Sequence, residues 1–198
     1  MTLLILGLIL FLAPHSVRIV ADAWRGAQVA RIGLPAWKGL YSAVSIVGLA
    51  LIVWGYGIAR TAPIDVWNPP VFTRHLASLF TLAAFVLLVA AYVPRNRIKA
   101  AIGHPMVAGV KLWAFAHLLA NGTVADLLLF GSFLVWAILD FRSARRRDRS
   151  VGAARAGVSL DASPSLAADV VVVLVGIGVW ALFAFQLHGW LFGVRPFG

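Results

Sequence analysis

Five histidines and no cysteine set the chemical vocabulary of this 198-residue chain. The missing thiols remove disulfides, iron–sulfur clusters, thiolate-ligated haem and covalent c-type attachment through a C-x-x-C-H run. Any metal or cofactor must therefore hang on histidine, carboxylates, methionine or backbone. No serine–histidine–aspartate set, phosphate-cradling loop or metalloprotease motif is present. The stretch richest in chemistry is GHPMVAGVKLWAFAHLLANG, residues 103–122, where His104, Lys111 and His117 interrupt an otherwise apolar run. Ionisable side chains inside a bilayer are costly, and where they persist they are paired or functional.

The elements that must position these residues follow from composition. Hydrophobic residues make up 62% of the chain and charged residues 12%, with a mean hydropathy of +0.92. A soluble domain carries about 25% charged residues. The expected fold class is an all-α integral membrane protein, one domain over residues 1–198. A membrane crossing needs roughly 20 mostly apolar residues. Six segments qualify, at about 2–22, 36–59, 72–93, 104–121, 123–141 and 169–192, predicting six transmembrane helices in a single bundle. Pro35, Pro63, Pro69-Pro70, Pro94, Gly122 and Pro164 punctuate them. The opening run MTLLILGLILFLAPH has no basic leader and reads as a retained first helix.

Lysines and arginines are distributed unevenly. Arg18, Arg25, Arg31, Lys38, Arg95, Arg97, Lys99, Arg142, Arg145, Arg146, Arg147, Arg149 and Arg155 fall on one side. Arg60, Arg74 and Arg195 fall on the other. Thirteen against three is a positive-inside bias that puts both termini outside the cytoplasm. Trp24, Trp37 and Trp136 near the inner surface, and Trp54, Trp67 and Trp190 near the outer one, suit interfacial anchors. The net charge of +10 is thus mostly a topology signal, and nucleic acid is not expected as a partner. Residues 142–168 read as a basic, flexible cytoplasmic loop with its arginines against anionic headgroups.

Depth now separates the histidines. At ~1.5 Å per residue, His15 lies ~18 Å below Leu3 and His117 ~15 Å from Val107. In a hydrocarbon layer ~30 Å thick both end near the middle. His104 sits at the inner boundary, whereas His75 and His188 sit toward the outer one. Two mid-membrane imidazoles from different helices meet the need of a b-type haem for axial iron ligands. Haem propionates need cations; Arg18, one turn toward the cytoplasm from His15, fits best, with Lys111 as the further candidate. Asn121, one turn beyond His117, is placed to tune that imidazole. Pro14 frees a carbonyl one turn back.

Plainer roles stand beside these. His15 and His117 also suit hydrogen bonds to neighbouring helices, Lys111 suits snorkelling to the headgroups, and His104 before Pro105 suits a helix start. Asp126 opens the fifth span at its positive dipole end, and Asp22 pairs with Arg18 or Arg25. Gly48, Gly55, Gly57, Gly176 and Gly178 are expected to permit close helix contact.

The pattern GHPM…W…AHLLANG followed by ADLLLFGSFLVWAI, with PHSVR in the first helix, resembles the NnrU family over most of the chain. That resemblance implies a bacterial inner-membrane protein linked to nitrite and nitric-oxide metabolism in denitrification. The family is in turn similar to zeta-carotene isomerase, a membrane enzyme with a b-type haem held by two histidines. By motif those ligands correspond to His15 in PHS and His117 in AH, the pair that depth selects. The resemblance therefore implies haem b and iron, with a redox partner or a lipophilic substrate. Three functions follow as expectations: a haem protein of respiratory nitrogen-oxide metabolism, a redox-gated cis–trans isomerase of an isoprenoid, or a cofactor-free structural subunit. Electron transfer tolerates two filled axial positions, whereas isomerisation or nitric-oxide binding needs one histidine to leave.

Overall fold

A computed structural model describes residues 1–154 and 164–197, with the side chains of 151–154 excepted. The described residues are helical, apart from turns and one isolated bridge between Asp65 and Thr123. Among the described residues nine α-helices run in order: α1 Thr2–Val20, α2 Asp22–Ile32, α3 Leu34–Ala59, α4 Val71–Tyr92, α5 Arg97–Ile102, α6 Pro105–Ala120, α7 Val124–Ala154, α8 Leu166–Leu182 and α9 His188–Phe192. A π-helical turn, Phe183–Leu187, joins the last two. Five helical stretches among the described residues are long and apolar enough to cross a membrane: Thr2–Val20, Leu34–Ala59, Val71–Tyr92, Val124–Ser150 and Leu166–Phe192.

The sixth expected crossing is shorter. Gly103 takes a positive φ of +78° and ends α5, so α6 starts only at Pro105 and spans 16 residues. Its length is ~24 Å at ~1.5 Å per residue. Other boundaries move for local reasons. The first span stops at Val20, and α2 occupies 22–32 as a separate helix without a buried residue. The expected flexible loop is a helix over 142–154, because α7 continues unbroken past Phe141. Arg155 and the rest of that loop to residue 163 lie outside the described residues.

The chain divides into two compact units. The first comprises Met1–Asn68 and Asn121–Asp140. Here α1 and α3 pack antiparallel through glycine. A Cβ on Gly48 would stand 2.6 Å from the Phe11 nitrogen, and one on Gly7 would stand 2.6 Å from the Ile52 nitrogen. Gly55 meets the Leu4 backbone still more closely. Removing the side chain lets two backbones touch, which gains dispersion contact where lipid offers no hydrophobic drive. Leu4, Leu8, Ile52 and Ala59 are buried along this seam.

The second unit comprises Pro69–Ala120 and Phe141–Gly198 and is organised around α4. Gly109 of α6 rests on the Ala84 carbonyl, with 3.0 Å to a notional Cβ, and Gly176 of α8 rests on Val86 at 2.8 Å. The Trp180 indole donates to Thr81 Oγ1 at 3.2 Å. Asn96, 2% exposed, closes α4 and opens α5: its Nδ2 donates to the Ala90 and Val93 carbonyls, and its Oδ1 accepts from the Lys99 amide. At the start of α8, Asp169 accepts from the Arg97 amide at 2.7 Å and faces its guanidinium at 3.5 Å.

Large apolar side chains are distributed opposite to those of a soluble domain. Ile46, Leu79 and Leu174 are each more than 60% exposed, whereas the buried set is mostly alanine and glycine. Such a surface suits lipid, and such a core suits close helix packing. Two of the five glycines expected at helix contacts do not serve there: Gly57 and Gly178 have nothing within 4 Å of a notional Cβ.

This contrast yields a test. Gly48→Leu forces backbones apart and should lower stability by at least the roughly 1–3 kcal/mol typical of overpacking. Gly57→Leu should be near neutral. Denaturant unfolding of both variants in the same mixed micelles measures the difference.

Candidate functional site

The geometry around each proposed ligand starts with a helix rule. A side chain at position i lies back over the turn holding the carbonyl of i−4. The ring nitrogen Nδ1 of His15 is 2.6 Å from the Phe11 carbonyl oxygen, and Nδ1 of His117 is 2.8 Å from the Trp113 carbonyl oxygen. A carbonyl only accepts, so each Nδ1 carries the proton and donates it. In the neutral ring the lone pair then resides on Nε2. Both histidines thus hold the same tautomer through the same local bond. His15 belongs to the first unit and His117 to the second.

Aromatic rings surround His15. Phe11 stacks on it at 4.3 Å between centroids, Tyr41 lies at 4.9 Å, and Trp136 presents an edge at 5.9 Å. The indole Nε1 of Trp136 and the hydroxyl of Ser45 are buried polar atoms without a hydrogen-bond partner among the described residues. Orphaned donors in an apolar interior are rare and call for a ligand or water. His117 is half-buried, with the Trp113 ring 5.0 Å away.

The supporting residues sit as follows. Arg18 is exposed, its Nε 3.9 Å from Asp22 Oδ1, which selects Arg18 over Arg25 as the Asp22 partner. The Lys111 ammonium lies 4.6 Å from the centroid of the Phe141 ring, a cation–π contact. Asn121 is half-buried in the turn between α6 and α7. His104 precedes the first turn of α6 as expected, and its Nε2 also meets Asp148 Oδ2 at 2.8 Å. His75 is exposed on α4. His188 follows the π-turn, with Nδ1 2.6 Å from the Val194 carbonyl oxygen.

A second polar cluster lies in the first unit. Asp126 is 5% exposed, yet three donors converge on its carboxylate. Its Oδ1 accepts from the Tyr56 hydroxyl at 2.5 Å; its Oδ2 accepts from the Thr123 amide at 2.9 Å and hydroxyl at 2.7 Å. Thr123 and Asp126 form a reciprocal cap on α7, since the Asp126 amide returns a 3.3 Å bond to Thr123 Oγ1. The T-x-x-D spacing of that cap is readable in the sequence. The partner Tyr56, 70 residues away, is not. Trp136, Ser45 and Tyr41 likewise gain their roles only from tertiary placement, whereas Asn96 is a local cap whose partners all lie within six residues. Among the described residues no three His, Cys, Asp or Glu side chains gather to hold a bare ion; axial haem ligation asks for two imidazoles only.

These features define a helical, multi-pass membrane protein with imidazoles presented from within apolar helices. The chain belongs to the NnrU family: the matching family model, described as NnrU protein, covers residues 3–196. No curated protein and no solved structure matches the chain.

The Asp126 cluster can be probed directly. Asp126→Ala strands the Tyr56 hydroxyl and the Thr123 donors in an apolar setting and should cost about 1–3 kcal/mol of stability. Tyr56→Phe removes one donor and should cost less. In the double variant the two effects should fall short of their sum, as read in a double-mutant cycle.

Proposed function

We propose that this chain is a bacterial inner-membrane protein that binds haem b through His15 and His117 and serves nitrite and nitric-oxide metabolism. One observation supports the reading most: each imidazole donates its Nδ1 proton to the carbonyl one turn back. That bond fixes ring orientation and leaves Nε2 as the donor atom, the arrangement metal-ligating histidines commonly use. The orphaned Trp136 indole and Ser45 hydroxyl in the unit that holds His15 add polar groups for which a bound group supplies partners. Family membership supports the same reading.

When bound, the haem supplies a one-electron couple in an apolar layer. The chain's residues then have definite tasks. The carbonyls of Phe11 and Trp113 hold the imidazoles in register. The apolar helices exclude water from the iron's surroundings, which shapes its potential. Arg18, now beside Asp22, would be the cation to hold a haem propionate, and Lys111 would be the second candidate for that role. Asn121 adjusts the setting of His117.

This reading takes α6 as a sixth crossing, with Gly103 and His104 extending it and the bilayer thinning locally to match. Both termini then face away from the cytoplasm, following the excess of arginine on the connections before α3, after α4 and after α7.

Two experiments test the proposal. A reduced-minus-oxidised spectrum of the detergent-purified protein should show b-type bands, and His15→Ala or His117→Ala should abolish them; intact bands in both variants would refute the assignment. The same preparation, given a poly-cis polyene, tells electron transfer from a redox-gated isomerase: haem without conversion favours the respiratory role. The cysteine-free chain also allows a topology test. Single cysteines at position 65 and position 149 should be labelled from opposite sides of sealed vesicles.

A further inference from the structure

The last part of α7 carries a feature that haem binding does not use. The apolar run Val124–Phe141 covers ~27 Å at ~1.5 Å per residue, close to a full hydrocarbon layer of ~30 Å. The helix does not stop there. It continues through Arg142, Arg145, Arg146 and Arg149, which are spaced i, i+3, i+4 and i+7 and all exposed. At ~100° per residue these four side chains fall within about 100° of arc. They form one stripe, not a scatter of charge.

The rotation of this stripe is fixed within the second unit. Asp148 meets His104 at 2.8 Å, which turns the Asp148 face toward the junction of α5 and α6. Ala144, on the same side of the helix, is 4% exposed. The arginine stripe is centred about 110° around the helix from Asp148. The guanidinium of Arg145 reaches Gly103, 3.3 Å from a notional Cβ there. Arg147 points elsewhere and donates to Ser143. Among the described residues, none of Arg142, Arg145, Arg146 and Arg149 pairs with a carboxylate. The one acidic residue between them is engaged by His104.

We propose that this stripe is a docking surface for the phosphates of anionic phospholipids in the host membrane. Depth selects that occupant. Arg142 to Arg146 lie ~1.5–7.5 Å beyond Phe141 along the helix, the thickness of a headgroup layer. Arg149, at ~12 Å, returns to that depth by extending its side chain back along the helix. A helix that holds four guanidinium groups at phosphate level, on one face, fits bidentate phosphate contacts. Neither the stripe nor its test depends on haem binding.

The test uses the full chain in bilayers of phosphatidylcholine doped with spin-labelled lipid. Spin-labelled phosphatidylglycerol should associate with the wild-type protein roughly fivefold more than spin-labelled phosphatidylcholine, and added salt should reduce the preference. Replacing the four arginines by glutamine should bring the ratio to about one, whereas replacing them by lysine should keep only the part due to charge, since an ammonium makes no bidentate contact. Both variants should retain the wild-type thermal unfolding profile. An equal ratio for the wild type, or a preference that survives in the glutamine variant, would overturn the proposal. Loss of the preference on adding millimolar inorganic phosphate would overturn it too, pointing to a soluble anion. A short oligonucleotide that binds the wild type and displaces the lipid would assign the stripe to nucleic acid instead.

Discussion

Inside a bilayer no water is available to satisfy a polar group, and that constraint shapes the helices and the polar contacts within them. Backbone groups satisfy one another along helices, which is why the described residues hold no sheet. Side chains obey the same rule. His15 and His117 turn back to a carbonyl of their own helix, and Asn96 bonds three backbone groups at once. Asp126 gathers three donors around one carboxylate. Against that background two unsatisfied donors, Trp136 and Ser45, stand out in the unit that holds His15.

Packing follows from the same solvent. Large apolar residues gain nothing by leaving lipid, so the helix seams are made of small ones. Gly7, Gly48 and Gly55 draw α1 onto α3, and Gly109 and Gly176 draw α6 and α8 onto α4. This places the imidazole-bearing helices on closely packed partners. The tautomer is set locally, by helix geometry, while the aromatic surroundings of His15 come from α3 and α7.

Much of this was legible in the residues. Hydropathy located α1, α3, α4, the helical stretch Leu166–Phe192 and the apolar half of α7 within a few residues, since each is a sustained apolar run. It overstated α6, because His104 and Asn121 sit outside a helix bounded by a positive-φ glycine and a short turn. It missed α2 and α5, whose charged residues read as loop. It also missed the helical course of Arg142–Ala154: the apolar run ends there, but the helix does not. Capping at Thr123 could be read from spacing, yet the Tyr56 contact could not, because sequence pattern carries no information on partners that far apart. Gly57 and Gly178 show the converse, since a glycine in a helix looks alike whether or not a neighbour presses on it.

The turn at Asn121–Thr123 has a consequence for how the chain is made. Gly122 accepts amides from Val66 and Trp67, Val124 donates to Ile64, and a Cβ at residue 122 would collide with the Trp67 carbonyl. Those partners are separated by about 60 residues, so at ribosomal speed they emerge roughly 3–12 s apart. The segment Ile64–Trp67 therefore waits, its amides and carbonyl still seeking partners, while α4, α5 and α6 are synthesised. The first unit is a discontinuous assembly that closes late. A chain stalled before residue 121 would expose that incomplete edge to the quality-control machinery of the membrane.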